Sequence, residues 1–167
     1  MINKYVITAF ILFAVLLSGC SNSSSPTSQK EKDNSHVQHA ANGDLQEKTG
    51  SAEQLPSFLD GKPDDMKTIY QASAKHADLL QYIPCYCGCG ESAGHKSNLN
   101  CFVAKVGKDG SIVWDDHGTR CKVCLDIAAE SITQFNDGKT PAQIRDYVDS
   151  AYKEGYAKPT PTPMPNV

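Results

Sequence analysis

The chain has 167 residues, with 16 lysines and arginines against 19 aspartates and glutamates, and a net charge of −3. That balance gives no support to nucleic-acid binding, for which a basic patch is expected, and the length suits one modest domain. Seven cysteines against one tryptophan make sulfur the feature to explain.

Met1-Ile2-Asn3-Lys4 is a short cationic start. The apolar run over residues 5–17 that follows is too short for a bilayer, which takes about 20 apolar residues, but it suits the middle of a secretory signal. Leu17-Ser18-Gly19-Cys20 resembles a bacterial lipobox, in which the cysteine takes a diacylglyceryl group by thioether and becomes the first mature residue. The resemblance implies a signal peptide over 1–19, lipid attachment at Cys20, and a chain anchored on the outer, extracytoplasmic face of the cell membrane. Export matters for the other cysteines, because disulfides persist outside the cytosol and are rare within it.

Residues 20–54 are rich in Ser, Asn, Lys and Glu and nearly free of large apolar side chains, a composition that reads as a lipidated flexible linker with His36 and His39 as solvated linker histidines. The folded domain is expected over 55–157. Pro63 opens a helix with Asp64 and Asp65 in its first turn, where the helix dipole favours negative charge. Met66, Ile69, Tyr70, Ser73 and Ala77 carry that helix over 63–81, with His76 exposed on it. It must stop before Pro84.

Pro84-Cys85-Tyr86-Cys87-Gly88-Cys89-Gly90 then sets three cysteines at i, i+2 and i+4 in a glycine-rich loop over 84–100. Alternate side chains of an extended segment share a face, so the three sulfurs point one way and need partners from elsewhere. Residues 101–106 and 111–114 alternate on either side of Lys108-Asp109-Gly110, the signature of a β-hairpin, pinned to the helices by Phe102, Val106 and Ile112. Asp115-Asp116-His117 reads as a turn with solvated charges. A second helix is written over 120–135, with Cys124, Ile127, Ala128, Ser131 and Phe135 on one face and Gly138 to finish it. Thr140-Pro141-Ala142-Gln143 is a capping-box start, followed by Ile144, Tyr147, Val148, Ala151 and Tyr152 at helical spacing. The Pro-rich tail over 158–167 has no expected core role. The fold class is α+β: a small single domain of about three helices and a hairpin around the Cys-rich loop.

His117-x3-Cys121-x2-Cys124 is the second constellation, at a helix start where dipole and free N–H groups lower a thiol pKa. Cys85, Cys87, Cys89, Cys121 and Cys124 together form a candidate thiolate metal site, which Cys101, His95 or His117 can complete or flank. Soft sulfur donors select Cu(I), Zn(II) or iron–sulfur clusters, and Cu(I) is placed ahead of Zn(II). Five or six sulfurs exceed the needs of one tetrahedral ion, pointing to a polynuclear Cu(I) centre or to partial pairing. Two alternatives stand beside this reading. The six cysteines after Cys20 can form a disulfide framework, or Cys121 and Cys124 can perform thiol–disulfide exchange, although no strand precedes them as in a thioredoxin-like unit. No serine elbow, phosphate loop or HExxH pattern points to other catalysis, so no catalytic residue is assigned.

The hexapeptide Pro84-Cys85-Tyr86-Cys87-Gly88-Cys89, with Gly94-His95, Asn98-Leu99-Asn100-Cys101-Phe102 and Cys121-x2-Cys124 behind it, resembles the PCYCGC-motif family of bacterial lipoproteins over residues 55–157. The resemblance implies location and fold membership and assigns no reaction, substrate or ligand. Taken together, these features describe a membrane-anchored module that binds a soft metal ion for storage, delivery or resistance, with a transfer partner protein at the other end.

Overall fold

The expected hairpin forms and is one half of a larger sheet. Strands β3 (Val103–Val106) and β4 (Ile112–Asp115) pair antiparallel. Their turn is closed by Gly107 N–H to the Ser111 carbonyl at 2.7 Å and Gly110 N–H to the Gly107 carbonyl at 3.1 Å. The computed structural model describes residues 36–166, so the signal segment, Cys20 and the first part of the expected linker lie outside the described residues. From the described part come two further strands, β1 (Val37–His39) and β2 (Leu45–Thr49), and the antiparallel sheet has the order β1-β2-β4-β3. No helix among the described residues is long and apolar enough to cross a membrane.

Residues 37–49 therefore correct the expected linker over 20–54 and the domain start at 55. Polar chemistry holds them, which composition does not register. Glu47 lies opposite Trp114 and Thr49 opposite Ile112, Trp114 Nε1 donates to Thr49 Oγ1 at 2.8 Å, and Gln46 Nε2 donates to Asp115 Oδ2 at 2.9 Å. Asp115 is itself buried, contrary to the solvated turn expected around it. Phe102 and Ile112 anchor the hairpin as expected, whereas Val106 is 48% exposed near the turn.

Five α-helices lie among the described residues. The first expected helix divides at His76 into α1 (Asp64–Lys75) and α2 (Ala77–Leu80). The break turns Leu79 and Leu80 into the core, and His76 packs edge-on against Phe135 at 5.9 Å instead of standing free. Helix α3 (Cys89–Ser92) is a single turn inside the Cys-rich loop. Helix α4 (Lys122–Asn136) begins one residue after Cys121, which caps it, and buries Cys124, Ile127, Ala128 and Ser131. Helix α5 (Pro141–Tyr152) starts on the full capping box, with Gln143 N–H donating to Thr140 Oγ1 and Thr140 N–H to Gln143 Oε1. It buries Ile144, Val148 and Tyr152 and leaves Tyr147 and Ala151 exposed.

Helix α4 packs against both α1 and α5, and α1 also touches β3. Tyr70 on α1 joins helices to sheet: its ring meets Phe102 edge-on at 5.1 Å, and its hydroxyl donates to the Asp115 carbonyl at 2.9 Å. The result is a small α+β domain with Cys85, Cys89, Cys101 and Cys124 in the main core cluster and Cys87 and Cys121 packed against it.

The tail packs against the Cys-rich loop through two buried threonines, which corrects the expectation for 158–167. Thr160 and Thr162 are buried. Thr160 N–H donates to the Cys85 carbonyl, Cys85 N–H donates to Thr160 Oγ1, and Ala157 N–H donates to the Tyr86 carbonyl. Prolines leave fewer N–H groups to satisfy, so the segment runs extended and lends the remaining ones to the Cys-rich loop.

Candidate metal centre

Three segments distant in sequence deliver the sulfurs. Ile83-Pro84 ends the helical part and leads Cys85 inward, where the tail fixes its backbone on both sides. Gly88 then adopts φ +91°, in the left-handed region that glycine enters without steric cost, so the chain reverses and Cys89 starts α3. The i, i+2, i+4 run is thus not extended throughout; its last cysteine turns away onto a helix. A 3-10 turn at Asn98–Cys101 places Cys101 beneath α3, and the first turn of α4 supplies Cys124. Asn98 ties two of these pieces, its N–H donating to the Ile83 carbonyl and its Nδ2 to the Cys124 carbonyl.

Cys85, Cys87 and Cys124 form a nearly equilateral triangle, with sulfur separations of 3.4 Å (85 to 87), 3.3 Å (85 to 124) and 3.4 Å (87 to 124). The sulfurs of Cys85, Cys89, Cys101 and Cys124 lie within 4.8 Å of one another, as do the ligand atoms of Cys87, Cys89, His117 and Cys124, and of Cys89, His95, Cys101 and His117. All six described cysteines are free. Within the triangle no two sulfurs stand apart from the third as a pair.

Beyond the sulfurs lie two imidazoles, 4.7 Å apart between ring centroids. His95 Nδ1 is 3.5 Å from Cys101 Sγ and its Nε2 3.5 Å from Asp44 Oδ2. His117 turns Nδ1 toward the same oxygen at 3.3 Å. Asp44, just before β2 and 4% exposed, also accepts from Arg120 Nη2 at 2.5 Å and Asn42 Nδ2 at 2.8 Å. A carboxylate behind a histidine fixes its tautomer and ring orientation, and here one carboxylate serves both rings.

The family model described as "Protein of unknown function with PCYCGC motif" matches residues 9–165. The chain belongs to the PCYCGC-motif family. No curated protein and no solved structure matches it.

Within this PCYCGC protein the thiols share protons unevenly. Cys87, only half-buried, accepts from both Cys85 and Cys124. Hydrogen bonds from Cys101, Cys121 and Cys124 hold its thiol far below the ordinary range. Cys124 moves the opposite way, raised by its hydrogen bonds to Cys101, Cys121, Cys85 and Cys87 and by burial. His117 is raised, first by its hydrogen bond to Cys87, whereas burial and then the neighbouring His117 charge lower His95.

The helix start does not make Cys121 and Cys124 acidic, against the expectation from the dipole. Cys121 is pulled down by Cys124, but bonding to Cys87 and burial outweigh that and raise it. A strong nucleophile for thiol–disulfide exchange needs the reverse. Cys121 also stands outside each close donor group, half-buried at the cap of α4, while Cys101, expected to complete or flank the shell, belongs to two of those groups. Asp44 was not singled out by sequence. The available signal was Asn42-Gly43, a turn pair between two short polar segments.

Proposed function

We propose that the domain binds a soft metal ion through Cys85, Cys87 and Cys124, with Cys89 as fourth donor, and that it stores or delivers that ion or confers resistance to it. The sulfur triangle carries this reading. In a tetrahedral thiolate site with metal–sulfur bonds of about 2.3 Å, sulfurs lie roughly 3.8 Å apart. Separations of 3.3 and 3.4 Å, with Cys89 within 4.8 Å of all three, match that spacing to within small rotamer adjustments. An ion about 2.3 Å from three such sulfurs lies out of their plane, facing a fourth donor. Thiolate donors favour Cu(I) ahead of Zn(II). The lipobox supports anchoring through Cys20 on the extracytoplasmic face, from which the ion passes to or from a transfer partner protein.

The test is retention. Reduced protein loaded anaerobically with Cu(I) or Zn(II) is expected to keep metal through desalting, and Cys87→Ala to release it. Equal retention by wild type and a Cys85→Ala/Cys87→Ala/Cys89→Ala variant would defeat the reading. Membrane fractionation of a Cys20→Ala variant tests the anchor: it is expected in the soluble fraction.

A further inference from the structure

We propose that the centre is dinuclear: a second ion, of the borderline class of Zn(II), binds Cys89, Cys101, His95 and His117, with the Cys89 sulfur bridging the two positions. This rests on the thiolate reading above. The donors themselves motivate it. Cys85, Cys87, Cys124 and Cys89 complete one four-coordinate set, and Cys89, Cys101, His95 and His117 lie within 4.8 Å of one another as a second. Seven donors fill eight positions when one is shared, and Cys89 lies within that distance of each of the other six.

Three further observations bear on the second set. Two sulfurs and two imidazoles suit Zn(II), and both rings are already oriented by Asp44, as metal-bound histidines commonly are by a carboxylate. Five gathered thiolates carry more negative charge than one divalent ion neutralises, and buried uncompensated charge is costly; a second ion offsets two more. A surface cleft of 270 Å³ lined in part by Asn42, Gln46, His95 and Asp115 brings solvent to the imidazole end.

Native mass spectrometry of the reduced full chain titrated with Zn(II) reads the stoichiometry. Wild type is expected to hold two ions, and the His95→Ala/His117→Ala variant one. Zinc absorption spectroscopy of the loaded wild type supplies a readout independent of any variant's folding. It is expected to show nitrogen at about 2.0 Å beside sulfur at about 2.3 Å. One ion in wild type, an unchanged count in the histidine variant, or a shell of sulfur alone would overturn the second site and leave the first standing. No retained zinc in wild type would also overturn the second site, and the first would then fall only if Cu(I) were lost on desalting as well.

Discussion

Cys85 and Cys124 stand 39 residues apart in the chain, and their sulfurs meet at 3.3 Å in the core. One comes from a loop held by the tail, the other from the first turn of α4, so neither the hexapeptide nor the C-x-x-C is a complete site by itself. Replacing Cys124 by alanine removes a vertex of the triangle. Its affinity for Cu(I) or Zn(II), measured by chelator competition, is expected to fall by more than the roughly 10–100-fold typical of losing an outer-shell partner. Unchanged affinity would place the ion elsewhere.

Asp44 contacts no sulfur, yet one carboxylate faces both imidazoles and Arg120. Asp44→Asn keeps the shape and loses the charge. Zinc affinity at the histidine end is expected to weaken about 10–100-fold with the far-ultraviolet dichroism unchanged. A wild-type value would show that the rings need no such support.

Cys87 combines a lowered pKa with partial exposure, and thiolate is the reactive form. In the reduced, metal-free protein its alkylation rate is expected to stay flat as pH falls from 8 to 6, because a group titrating below that window remains ionised throughout it. A free cysteine titrating at about 8.5 loses nearly tenfold per unit over the same range. Peptide mapping after timed iodoacetamide pulses separates the two profiles. A tenfold decline per unit at Cys87 would contradict the proton sharing described.

The tail gives a stability prediction. Thr160→Val preserves shape but takes away the acceptor for the buried Cys85 N–H. An unsatisfied buried donor costs about 1–3 kcal/mol, to be read from urea denaturation. A midpoint equal to wild type would mean that the tail merely lies on the loop.

What was legible in the sequence follows the kind of interaction involved. The capping box at Thr140 and Gln143, the finish at Gly138 and the hairpin about Asp109-Gly110 are local chemistry, and each formed where expected. Strands β1 and β2 were hidden because Gln46, Glu47 and Lys48 carry no apolar alternation; their pairing depends on Trp114 and Asp115, more than sixty residues away. Thr160 and Thr162 were hidden for a related reason, since their role is to complete the backbone bonds of another segment. At the site, spacing put Cys85, Cys87, Cys89, Cys121 and Cys124 first and Cys101, His95 and His117 behind them. Cys101 joins two of the close donor groups because a 3-10 turn brings it to Cys89, and Cys121 stays outside them at the cap of α4.

The central claim is that these sulfurs stay reduced and serve a common ion. Intact-mass measurement of protein isolated from an exporting host, unfolded with alkylating agent and chelator but no reductant, addresses it directly. Six adducts are expected, one on each cysteine from Cys85 to Cys124. A chain that takes up none, its six sulfurs already joined in pairs, would contradict the account.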